Sequence, residues 1–391
     1  MSAKKILLFI FSFALFLTAI FSQDTTYQKN SFFIEPILNA GKIIKNYPSF
    51  PSNDFCLVNE LNLGWQTQGN KTWHHSYGFP QLGVALIYAY QGNDRVLGRT
   101  FSIMPNFSIH TLRKKNHTLE LSIGCGFAYF PLIYDSLQNR ENIFIGSKVT
   151  AAASFSLNYL TNLSEKAQYR FGLSTFHFSN GHAQLPNVGL NSILFTTGLK
   201  YFIKPLPPLP PCKKQSGEKT PILVSVRAGI GMHEFGNELG PVGRPKYKIF
   251  TASVYGSKRM GKVSNVHAGI MSKYYSNYYE YISDNLVFSK NQRLKSNTFM
   301  FMVGHEFLCG RISLLTEGGI NLYNPFYKYY NRKVKNDFFK FSRTWFCSRL
   351  GFQYYFLTPS ATRRVNMYTG IYINANFDKA DFNELCVGIL F

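Results

Sequence analysis

Residues 168–179 read QYRFGLSTFHFS, and their alternation decides the fold. In an extended strand side chains i and i+2 share a face, so Tyr169, Phe171, Leu173, Thr175, His177 and Ser179 stand on one side. Gln168, Arg170, Gly172, Ser174, Phe176 and Phe178 stand on the other. An apolar side opposite a side bearing Gln and Arg is the pattern of a membrane-barrel strand, apolar toward lipid and polar toward the lumen. His177 and Ser179 then continue the outer face, at the membrane rim.

The same period-2 pattern recurs along the chain. About eight runs bounded by turn residues precede residue 204, near 32–42, 58–68, 80–92, 96–112, 116–130, 143–162, 166–179 and 188–203. The stretch KPLPPLPPCKKQSGEKTP (204–221) breaks the pattern, because each proline lacks a ladder donor and fixes φ; it reads as an extended connector. About eight further runs follow, near 221–234, 246–257, 262–275, 297–308, 310–322, 342–356, 363–377 and 382–391. The expected class is therefore all-β: an antiparallel transmembrane β-barrel protein with about eight strands in each half. Two tandem barrels joined by the connector is the preferred arrangement, and one closed barrel of about sixteen strands is the competitor.

The expected boundaries are a signal peptide at 1–22, a first barrel half at 23–204, a proline-rich linker at 205–221 and a second half at 222–391. Residues 153–176 and 348–373 share an aromatic-rich strand, a Leu-Thr turn and a second strand, which suggests an internal duplication with the second half a degenerate copy. The start, MSAKKILLFIFSFALFLTAIFSQ, has two lysines, a short apolar run and then polar sequence, the order of a cleaved secretory leader. The end, NELCVGILF, alternates and closes on Phe391, like the terminal aromatic signal of outer-membrane barrels. Export to a bacterial outer membrane is the expected location.

Composition agrees with strands: 37 Phe and 25 Tyr in 391 residues would have to be buried in a soluble protein, whereas a barrel exposes them to lipid and in interfacial girdles. A soluble β-sandwich ranks last for that reason. The formal charge of +22 is spread through turns and strands with only short clusters such as Arg113 to Lys115. It argues against a nucleic-acid partner in an exported barrel and fits attraction to the phosphates of an anionic glycolipid. Six scattered cysteines without metal-like spacing read as small apolar strand residues or as pairs in an exported chain, and neither a metal nor another cofactor is expected.

Applying the same parity to the next strand puts Asn191, Ile193, Phe195, Thr197, Leu199, Tyr201 and Ile203 on the outer side. Asn191 thus shares the outer face with His177 and Ser179 across the connecting loop. Taken singly, each is an ordinary interfacial residue. Their coincidence on one face is notable, because a serine made nucleophilic by a neighbouring histidine is the apparatus of acyl transfer, and that apparatus needs a third group to orient the imidazole. A site on the outside of a barrel suits a substrate that is itself a lipid.

HFSN followed by PN and GLN (177–191) resembles the signature of the outer-membrane lipid A 3-O-deacylase, or acyloxyacyl hydrolase, family. WHHSYGFPQLGVALIY (73–88) and GFAYFPLIYDSLQNRENIFIGS (126–147) are similar to that family as well, so the resemblance covers about residues 55–204. It implies an eight-stranded barrel whose lipid-facing Ser-His-Glu triad removes an ester-linked acyl chain from lipid A. By the resemblance, His177 is the base, Ser179 the nucleophile, and Asn180 and Asn187 the oxyanion candidates. The family's acid position falls on Asn191. Asparagine can orient an imidazole but lacks the charge to stabilise its cation, which keeps open a rival reading: a non-catalytic barrel with a structural, binding or pore role. In the penultimate strand the outer residues Val365, Met367, Thr369, Ile371, Ile373, Ala375 and Phe377 include no His or Ser.

Overall fold

The computed structural model describes residues 31–47, 50–206, 208–209, 220–332, 337–360 and 362–391. The expected leader and most of the linker lie outside these residues, as does Cys212. Sixteen strands form two closed antiparallel barrels. The first contains β1 (Ser31–Ile43), β2 (Cys56–Gln66), β3 (Gln81–Tyr90), β4 (Arg99–Arg113), β5 (His117–Tyr129), β6 (Val149–Asn162), β7 (Ala167–Ser179) and β8 (Leu190–Phe202). The second contains β9 (Ile222–Glu234), β10 (Lys246–Met260), β11 (Ser264–Tyr275), β12 (Asn297–Cys309), β13 (Ile312–Tyr323), β14 (Phe346–Tyr355), β15 (Asn366–Asn376) and β16 (Lys379–Leu390). Within each barrel, strands adjacent in sequence pair with one another. The first barrel closes by β1 on β8, with Phe33 opposite Phe202, and the second by β9 on β16, with Met232 opposite Asn383. The sixteen-stranded alternative is thereby excluded.

Alternation carries through to burial. Along β7, Arg170, Ser174, Phe176 and Phe178 are buried, whereas Tyr169, Phe171, Leu173, Thr175 and His177 are exposed on the barrel's outer wall. Eight strands enclose a space that side chains can fill, and here they fill it. In the first lumen Arg170 bonds Glu35 (2.7 Å) and Glu120 (2.6 Å), and Lys200 bonds Glu120 (3.1 Å). In the second, Arg227 and Arg349 meet Glu317 (3.0 and 3.3 Å), and Arg349 also meets Glu384 (2.7 Å). Each of these named charges leaves water with an opposite partner in reach, whereas Glu306 is buried among the neutral donors Asn265, Ser313, Gln353 and Tyr355.

The polar lumen is not uniform. Toward the end of the first barrel where β7 finishes, the interior becomes an apolar cluster containing Met104, Phe130, Phe144, Phe176, Phe178, Leu190 and Leu194. The connections 44–55, 91–98, 130–148 and 180–189 lie at this loop end, and the connection 67–80, with its helix Thr72–Ser76, lies at the opposite one. The expected run at 143–162 starts late, at Val149, because Asn142 accepts from the Ile145 amide (3.2 Å) and folds 142–145 into the cluster instead. The run at 342–356 likewise starts at Phe346. Its first residues lie in helix Phe338–Trp345, capped by Asp337 accepting from the Lys340 amide (2.8 Å). The five described cysteines are free thiols.

Candidate site on the outer wall

Phe176 and Phe178 enter the apolar cluster, with Phe178 edge-on to Phe130 at 5.4 Å between ring centroids. Those inward anchors turn His177 and Ser179 outward. The β7–β8 register sets His177 directly opposite Asn191, and their side chains meet: Nδ1 of His177 lies 2.7 Å from Oδ1 of Asn191. A carbonyl oxygen there accepts the Nδ1 hydrogen, so the neutral ring keeps Nε2 free as a base. On the β6 side the facing residues are Ala151 and Ala153, so nothing larger than a methyl flanks Ser179 and His177 there.

The 180–189 loop supplies the surroundings of the serine. Ser179 Oγ accepts from the Gly181 amide (3.2 Å) and from Nδ2 of Asn187 (2.9 Å). Asn187 is held in turn, its Oδ1 accepting from the Asn180 amide (3.1 Å). Asn180 donates from Nδ2 to Gln184 O (2.7 Å) and Ser147 Oγ (3.2 Å), which closes the loop on itself. Both asparagines are buried, and both serve Ser179 by different routes: Asn187 touches it, whereas Asn180 shapes the loop and holds Asn187. Among the described hydrogen bonds none runs from Ser179 to His177. Gly189 (φ +77°) lets the chain double back beside the pair; a Cβ there would stand 3.1 Å from the Phe178 carbonyl oxygen.

Over residues 59–200 the chain matches the family model of lipid A 3-O-deacylase (PagL). The matched region spans β2 to β8 and contains His177, Ser179, Asn180, Asn187 and Asn191. Among solved structures, the outer-membrane enzyme PagL is similar at 17% identity, covering 42% of this chain and 97% of that one, with a TM-score of 0.31. Neisserial surface protein A is similar at 9% identity over 44% of this chain and 96% of its own (TM-score 0.29). The β domain of the Bordetella autotransporter BrkA covers 93% of this chain and 99% of its own at 9% identity (TM-score 0.23). No curated protein matches the chain. The deacylase match and the barrel fold indicate the bacterial outer membrane.

Two features of this deacylase-like barrel escape a sequence reading. Gly181 contributes a backbone donor, and its only signal is a Ser-Asn-Gly turn after a strand. The loop is also bound from outside the barrel: the Leu185 amide donates to Glu234 Oε2 (2.8 Å), the Asn187 amide to the Glu238 carbonyl (2.8 Å), and Asn383 Nδ2 to the Asn180 carbonyl (2.7 Å). Beside these contacts burial pushes His182 down to about 4, with Lys379 and His233 adding to it, so this loop imidazole is neutral near pH 7.

Proposed function

We propose that the first barrel is an outer-membrane esterase that hydrolyses an ester-linked acyl chain of lipid A or a related glycolipid. Ser179 is the nucleophile, His177 the base, and Asn191 the group that orients the imidazole. The observation that carries this reading is the outward-facing row of Asn191, bonded His177 and Ser179 inside the region that matches a deacylase family. Leu173, Ile193 and Phe195, each more than half exposed on the same wall, suit contact with acyl chains. A substrate lying in the outer leaflet then reaches the site sideways, and the chain's positive charge suits its phosphates. Export with removal of residues 1–22 belongs to the same reading.

The chemistry follows from the geometry. The two donors to Ser179 Oγ occupy its lone pairs and leave its hydrogen free to turn toward Nε2 of His177. As Oγ bonds to the ester carbonyl carbon, the proton passes to Nε2 and the carbonyl oxygen becomes an oxyanion. Asn187 Nδ2 and the Gly181 amide are the donors within reach of it. Collapse breaks the bond to the sugar oxygen, which takes the proton from His177 and leaves. Water, deprotonated by the same imidazole, then releases the fatty acid from Ser179.

The non-catalytic barrel retains two specific supports: Asn191 offers a dipole where a carboxylate would offer a charge, and among the described hydrogen bonds none joins Ser179 to His177. The filled lumens count against a pore. Incubating the purified protein with lipid A in liposomes and weighing the product by mass spectrometry separates the readings. Loss of the mass of one acyl chain, with the free fatty acid recovered, is the expected result. Lipid A left at the mass seen in protein-free liposomes would sink the esterase. A further expected outcome is that Asn191→Glu raises the release rate or at least maintains it, because a carboxylate holds the same tautomer and also stabilises the imidazolium. A clear fall in rate with Asn191→Glu would remove Asn191 from the role of orienting group.

A further inference from the structure

The second barrel carries no His or Ser at the outer end of β15 that matches the pair on β7, yet it touches the loop that surrounds Ser179. The decisive contact involves one peptide group. The carbonyl of Asn180 accepts from Asn383 Nδ2 (2.7 Å), and the N–H on the other side of the same peptide, that of Gly181, donates to Ser179 Oγ (3.2 Å). Asn383 lies on the outer wall of β16, in line with the exposed Leu385, Val387 and Ile389. It is packed so closely on the peptide that a Cβ at Gly181 would collide with its side-chain amide.

We propose that Asn383 is a positioning residue for the site on the other barrel: it locks the Asn180–Gly181 peptide with its N–H directed at Ser179. The lock answers a specific weakness. A peptide followed by glycine can reverse by opposite rotations on its two sides with little movement of the flanking chain, and Gly181, at φ +62°, has no side chain to resist. Reversal would turn a carbonyl oxygen toward Ser179 Oγ and toward the oxyanion that forms beside it, replacing attraction with repulsion. The donor from Asn383 holds the carbonyl away. Glu234, which accepts from the Leu185 amide and donates its own amide to the His182 carbonyl (3.2 Å), ties down the rest of the loop. The second barrel is then a rigid support that completes the first barrel's site.

The activity arm of the test rests on the esterase reading; the structural arm does not. In the full-length protein, folded in detergent and checked by heat-modifiable mobility, Asn383→Ala removes the donor. Asn383→Asp keeps the shape and sets a carboxylate against the carbonyl, so a role in packing alone would leave it like wild type. The expected result is faster amide hydrogen exchange across 181–189 in both variants. On lipid A liposomes kcat falls roughly fivefold to tenfold for Asn383→Ala and further, up to about a hundredfold, for Asn383→Asp, with KM within about twofold. Unchanged exchange in Asn383→Asp overturns the proposal, as does a kcat unchanged in both variants when the wild type hydrolyses lipid A. If the wild type releases no fatty acid, the esterase reading fails alone, and exchange in 181–189 still decides whether Asn383 holds the loop.

Discussion

Ser179→Ala and His177→Ala each reduce fatty-acid release from lipid A to the level of protein-free liposomes, and the double variant is no worse than either alone. The three agree because nucleophile and base act as one unit: without Oγ there is nothing to deprotonate, and without the imidazole the hydroxyl stays a weak nucleophile. The expected loss is at least about a thousandfold, limited by detection of the background. Neither change disturbs the barrel. His177 is exposed on the outer wall, and Ser179 is a half-buried residue at the end of β7 whose removal costs two hydrogen bonds at the loop. Folded variants that release fatty acid at the wild-type rate would exclude this pair as the machinery. An alanine at 179 that is inactive because it is unfolded is recognised by its lost heat-modifiable shift.

Arg170→Met lowers stability by about 3–5 kcal/mol, read as an earlier midpoint in guanidinium unfolding from micelles. Methionine replaces much of the arginine's volume, so the penalty comes from charge. Glu35 and Glu120 lose the cation they share at 2.7 and 2.6 Å, and Lys200, at 3.6 and 3.1 Å, is left to serve both. Adding Glu120→Gln to Arg170→Met removes one of the stranded charges and recovers a substantial part of the loss. A double variant as unstable as the single one would show that packing, not the unpaired carboxylate, sets the cost.

These two expectations differ in how far they were legible in the sequence. The outward placement of His177, Ser179 and Asn191 follows from period-2 alternation, because a one-residue slip would put Arg170 outside and Leu173 inside. The acyl-transfer chemistry follows from the residue types. Arg170 was legible as a lumen residue but not as a shared ion partner, since Glu35 and Glu120 come from β1 and β5 and meet it only when the sheet curls closed. Closure is itself the point where alternation falls silent. A strand reads the same in a barrel of eight or of sixteen, and only the pairing of β1 with β8 and of β9 with β16 separates the two.

Most strand positions, their facing and the chemical character of the outer wall are written locally, because these depend on neighbours one and two residues apart; the starts of β6 and β14 are displaced by the Asn142 turn and the Asp337-capped helix. The sequence also marked the places where the ladder stops, through proline at 205–211 and the Asn-Gly turn at 180–181. Tertiary structure decided the number of lumens, the ion partners within them and the surroundings of Ser179. The reason is sequence distance: Asn383 bonds a carbonyl 203 positions away, and Glu234 an amide 49 positions away. No local pattern carries such a contact. It exists only because two closed barrels bring the end of β7 and the start of β16 to the same place.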